Sequence, residues 1–187
     1  MSLPKVGSRS PWGTIDHVTV HAPGIASVST PRHGGFKLDR SHNAKVPAAC
    51  RRKGGWYEED CEYAIPVLVF PEAFEDRIVE GARASLKNWY PEAHTAITGE
   101  PVALEDSYEL RRRAFKARNA DKHVVVSASG SGPGVPAGMV GVTATLGGER
   151  GQAAWDAQIH RLVTAEAYAK RGQFGYVLDG SEPVWNR

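Results

Sequence analysis

A proline inside the most apolar run of the chain limits what this sequence can fold into more than any other feature. Ala64-Ile-Pro-Val-Leu-Val-Phe70 is that run, and it follows Gly54-Gly-Trp-Tyr-Glu-Glu-Asp-Cys-Glu-Tyr. Read at helical spacing, Tyr57, Cys61, Ile65 and Leu68 share a face that leaves Glu58, Glu59 and Glu62 outside it. Pro66 lacks an N–H, clashes with the carbonyl four residues back and drives Ile65 out of the α region, so an unbroken helix is forbidden. Either the helix kinks there, or it ends near Ala64 and residues 67–70 form a buried strand. In both cases Trp56, Tyr57 and Cys61 are expected to be structural, with Trp56 buried.

The carboxylates of this stretch admit two readings. Glu58, Glu59, Asp60 and Glu62 could gather around a hard cation or tune one another's protonation for acid–base chemistry. A solvated, N-terminally acidic helix face explains the same residues without a site, and runs of charge on a helix are commonly of that kind. No calcium loop and no His-Glu-x-x-His spacing accompanies them, so neither a cofactor nor a metal is expected.

With 187 residues, 41% hydrophobic and 24% charged, the chain is of a size and composition to bury one core. The expected organisation is an arm over residues 1–11, which lacks periodicity, followed by a single α+β domain over residues 12–187. The apolar run is too short to span a bilayer and no signal-peptide core opens the sequence, so a cytoplasmic protein without membrane contact is expected. Cys50 and Cys61 supply neither a disulfide framework nor a zinc-ligand spacing, and both are expected to be free thiols.

Along the chain, alternation over residues 14–20, the turn residues Ala22-Pro23-Gly24 and a return over residues 25–30 read as a β-hairpin. Pro31-Arg-His-Gly-Gly then leads to a short strand at residues 36–38. His33 between this proline and two glycines could be a ligand or proton carrier, since glycines allow close approach to the backbone; a plain turn accounts for it equally. Pro47 reads as the first turn of a helix reaching Lys53. The clearest helical period covers residues 72–90, and Pro91 stops or kinks it before a further turn ending at Gly99. Asp106 or Ser107 can cap a helix to Arg118. Strands follow at residues 123–129 and 138–146, joined by a glycine-rich loop that lacks a Walker lysine and reads as a hairpin connection. A strand within residues 154–163, a short helix at 164–170 and a last strand at 174–178 complete the pattern. The fold expected is α+β, with antiparallel strands from both ends packed on the helix at 72–90, together with several short helices.

The formal net charge is only +2, yet Arg111, Arg112, Arg113, Lys116 and Arg118 fall on one predicted helix. A phosphate backbone is a natural partner for such a segment. An ordinary solvated helix, partly neutralised by Glu105, Asp106 and Glu109, is the alternative.

Four segments, Ser10-Pro-Trp-Gly, Ser29-Thr-Pro-Arg-His-Gly-Gly, Gly54-Gly-Trp-Tyr-Glu-Glu-Asp-Cys-Glu and Leu86-Lys-Asn-Trp-Tyr-Pro, together resemble a bacterial domain family of unknown function carried on plasmids, integrated elements and phages of proteobacteria. Arg32 and Pro66 depart from its usual pattern. The resemblance carries no activity or catalytic residue. It implies an accessory role on a mobile element, such as an anti-restriction or anti-CRISPR inhibitor that binds a host defence complex or nucleic acid. The rival expectation from the residues is a small metal-assisted hydrolase or nuclease using His33 with Glu58, Glu59 and Glu62.

Overall fold

The computed structural model describes residues 3–186 and has the expected α+β character, with all strand pairing antiparallel. The chain divides into two compact units, one running to Leu110 and the other from Arg111.

In the first unit, β1 (Arg9–Ser10) and β2 (Gly13–Thr14) pair as a small hairpin inside and beside the expected arm, and Gly7 donates its N–H to the Ile15 carbonyl. A four-stranded sheet runs in sequential order through β3 (His17–Ala22), β4 (Ile25–Ser29), β5 (Gly34–Leu38) and β6 (Trp56–Glu58). The β3–β4 hairpin is the one its alternation implies. Pro23 and Gly24 make its turn, with Gly24 at φ +89°.

Between β5 and β6 the chain departs from expectation. The helix lies at Arg40–Lys45 (α1) rather than from Pro47 to Lys53; Pro47 opens only a turn, and Lys53–Gly55 is a single 3-10 turn. Asp39 decides this, because its carboxylate accepts from the His42 N–H at 2.8 Å and caps α1.

Pro66 is accommodated in neither of the ways its position suggests. The segment 56–58 is a strand, residues 59–63 turn, and α2 (Ala64–Val69) begins only two residues before the proline. Pro66 therefore occupies the first helical turn, where its missing N–H costs no hydrogen bond. The face drawn through Tyr57 and Cys61 consequently does not exist. Tyr57 instead points from β6 into the core, fully buried with Ile25, Leu38, Ile65 and Val67. Trp56, its neighbour on the opposite face of the strand, is only half-buried.

The helices α3 (Asp76–Trp89) and α4 (Pro91–Thr98) follow. Ala82, Leu86 and Ala93 enter the same core, and α4 ends on Gly99 at φ +77°. Ser107 caps α5 (Tyr108–Arg118) through the Leu110 N–H.

In the second unit, β7 (His123–Ser129), β8 (Met139–Leu146) and β9 (Ile159–Thr164) form a separate sheet, with the short helices α6 (Gln152–Asp156) and α7 (Ala165–Ala169). Val140, Val142, Ala144, Val163 and Leu178 form an apolar cluster in this unit, and the strands from the two ends of the chain lie in separate sheets. The last expected strand is reduced to isolated bridges, Val124 to Val177 and Gly172 to Gly175. No helix among the described residues is long and apolar enough to cross a membrane.

Candidate functional site

One corner of the first unit gathers three of the four segments named above. In the β5–β6 pairing Gly35 faces Glu58, Phe36 faces Tyr57 and Lys37 faces Trp56. Residues opposite one another share a face, so Tyr57 goes inward while Lys37, Trp56 and Glu58 lie on the other face of the sheet. The inward phenol is fixed by polar bonds. It donates to Asn43 Oδ1 at 2.6 Å and accepts from the Arg52 N–H at 3.3 Å, tying β6 to α1 and to the chain entering the 3-10 turn.

The two glycines after His33 are explained by close packing. A methyl group at Gly35 would overlap the Trp12 indole and the Tyr57 carbonyl, and one at Gly34 would stand 2.5 Å from the Glu59 carboxylate. Trp12 in turn meets Trp56 edge-on, with ring centroids 5.7 Å apart. The loop before the glycines is held by Thr30, whose N–H donates to the His33 carbonyl at 2.8 Å while its hydroxyl accepts from the His33 N–H at 3.2 Å.

His33 is thus set beside the acidic turn. Its Nδ1 lies 3.7 Å from Glu59 Oε1, with side chains 60% and 45% exposed, and Glu58 completes a group of three donors lying within 4.8 Å of one another. One oxygen of Glu58 is engaged by the Asp60 N–H at 2.8 Å. Glu62 does not join them. It accepts from Arg52 Nε at 2.8 Å and from the Glu58 N–H at 3.3 Å, and so latches the turn rather than facing outward. The hydrolase constellation expected from the sequence is therefore assembled without one of its four members.

Cys61 sits half-buried on this turn. Burial, and then the charges of Asp60, Glu58 and Glu62, push its thiol up, which disfavours the thiolate a nucleophile needs. Burial likewise raises Cys50, and the two cysteines are unbridged.

Two further members of the corner, Trp12 and Lys37, are not among the expected site residues; Trp12 enters the sequence reading only through the Ser10-Pro-Trp-Gly segment. Lys37 is 7% exposed, donates to the carbonyls of Leu38 and Gly54, and holds its ammonium 5.4 Å from the centroid of a Trp56 ring. Burial pulls its pKa down, with Asp39 opposing.

The basic segment is where the sequence puts it, on α5. No residue of this helix is fully buried. Arg112, Arg113, Lys116 and Arg118 are exposed and Arg111 is half-buried. Arg112 and Lys116 lie one turn apart on one face, whereas Arg118 points in another direction. Lys116 pairs with Glu149 of the second unit's β8–α6 connection at 2.9 Å.

The family described as "Domain of unknown function (DUF7007)" matches residues 5–120, and the chain belongs to it. The match covers the whole corner and α5, and stops before β7. No curated protein and no solved structure matches the chain.

Proposed function

We propose that this DUF7007 chain is a non-catalytic, cytoplasmic binding protein that docks on phosphate, either of DNA or of a host nucleoprotein complex. Its surface would be α5. The observation that carries this is a helix of 11 residues that sends none of them fully into a core while exposing Arg112, Arg113, Lys116 and Arg118. Such side chains reach phosphates by displacing condensed counterions and give affinity without reading sequence. Lys116 reaches a phosphate by exchanging its exposed partner Glu149, a weak tie at the surface. The resemblance to domains of plasmids, integrated elements and phages supports the further reading that this binding serves a mobile element, as a counter-defence inhibitor of the anti-restriction or anti-CRISPR kind.

The metal-assisted hydrolase reading has one observation in its favour, the convergence of His33, Glu58 and Glu59, and one against it, the diversion of Glu62 to Arg52. A pull-down of tagged protein from a bacterial lysate, with and without nuclease treatment, tests the binding proposal. Capture of a nucleoprotein complex that nuclease weakens is expected; recovery of the bait alone, with no duplex binding at low salt, would contradict it.

A further inference from the structure

We propose that His33, Glu58 and Glu59 form a divalent-cation site selective for zinc over magnesium, independent of the α5 surface. Three observations converge on it.

The donors come from two elements that the sheet brings together, the loop entering β5 and the end of β6. One imidazole nitrogen with two carboxylates is a mixed set that suits a borderline ion; magnesium prefers oxygen alone.

The spacing also fits. His33 Nδ1 and Glu59 Oε1 are 3.7 Å apart, too far for a hydrogen bond. Two ligands each about 2.1 Å from a shared ion at the tetrahedral angle lie about 3.4 Å apart, a few tenths of an ångström closer than these two atoms. The third donor, within 4.8 Å of the others, needs only a small side-chain rotation, and His33 and Glu59 are exposed enough to move.

The surroundings prepare the donors. Gly34 leaves room for the Glu59 carboxylate where a side chain would collide with it, and the Asp60 N–H orients Glu58 through one oxygen, leaving the other free to ligate. Three protein ligands leave further positions for water or for a donor from a partner.

Zinc chloride and magnesium chloride are titrated into chelator-stripped full-length protein by calorimetry, alongside His33→Ala, Glu59→Gln and Glu62→Gln. All three variants are checked for fold by circular dichroism. About one zinc per chain, no saturable magnesium, and a loss on the order of tenfold or more in zinc affinity in His33→Ala and Glu59→Gln is expected. Glu62→Gln keeps wild-type affinity if folded. His33 and Glu59 are exposed, so their variants remain informative even if the Glu62 variant unfolds. Absence of saturable zinc binding, or binding unchanged by both His33→Ala and Glu59→Gln, overturns the site.

Discussion

The corner at β5–β6 and the helix α5 carry charge in opposite ways. At the corner the buried and half-buried polar groups are placed by a framework: Tyr57 is bonded to α1, Glu62 to Arg52 and Lys37 to two carbonyls. On α5 the cations extend from a helix with no fully buried residue and point in several directions. A framed set of donors suits a ligand with fixed geometry, whereas several exposed cations on one helix suit a partner recognised by charge density. The contrast teaches that this chain keeps geometric precision and electrostatic reach in separate places. Substitutions at the corner should therefore cost stability, and those on α5 should not.

The largest effect should come from Tyr57→Ala. It removes a fully buried ring and strands Asn43 and the Arg52 N–H, and should cost about 3–5 kcal/mol, enough to unfold a marginal domain. Urea denaturation followed by circular dichroism reads it; a cost below about 1 kcal/mol would mean that the phenol does not hold the corner.

Trp56→Ala should cost less, about 1–2 kcal/mol, because the indole is half-buried and its losses are the edge contact with Trp12 and the Lys37 ammonium. The same denaturation series ranks the two, and a larger cost for Trp56 than for Tyr57 would reverse the assignment of the anchor.

Acid should loosen the framework from α1. The His42 N–H, ahead of the His42 ring and the Ser41 hydroxyl, holds the Asp39 carboxyl well below the ordinary carboxylate range. A depressed folded-state pKa means that the contribution is fully present above about pH 4 and is lost as pH falls further, through the folded value. Asp39→Asn should lower stability at neutral pH and flatten its fall below pH 4. Equal slopes for variant and parent in an acid titration would remove Asp39 from the account.

Smallest is Lys116→Ala, which breaks only an exposed ion pair and should shift stability by less than about 0.5 kcal/mol. Thermal unfolding suffices to check it, and a large loss would show α5 to be part of the framework.

Local signals were legible and long-range ones were not. The β3–β4 hairpin, the helix ending at Gly99, the Ser107 cap and the glycine-rich β7–β8 connection all rest on turn or cap residues acting within a few positions. Pro47 reads as a helix start, but Asp39, eight residues earlier, is the residue whose side chain caps α1. Helical spacing from Tyr57 puts Pro66 in a helix interior, whereas the helix starts at Ala64 and the proline falls in its first turn. At the candidate site, His33 with Glu58 and Glu59 could be named from residue type, but the sequence did not reveal that Arg52 claims Glu62. Nor did it reveal that Trp12 needs Gly35. The first joins residues on either side of β6 and the second joins the β1–β2 hairpin to β5, contacts that hydrophobic periodicity does not encode.

The most direct test of the proposed function is the salt dependence of duplex DNA binding, measured by fluorescence anisotropy for the parent chain and for Arg112→Glu with Lys116→Glu. Lys116→Ala serves as a control for the lost Glu149 pair. The parent should bind at low salt and lose affinity with a log–log slope of about −3 to −4, as for roughly four neutralised phosphates. The double reversal should weaken binding by more than tenfold and make the slope shallower by about 2, with the fold unchanged. An affinity and slope the same in parent and variant would show that α5 is not the binding surface.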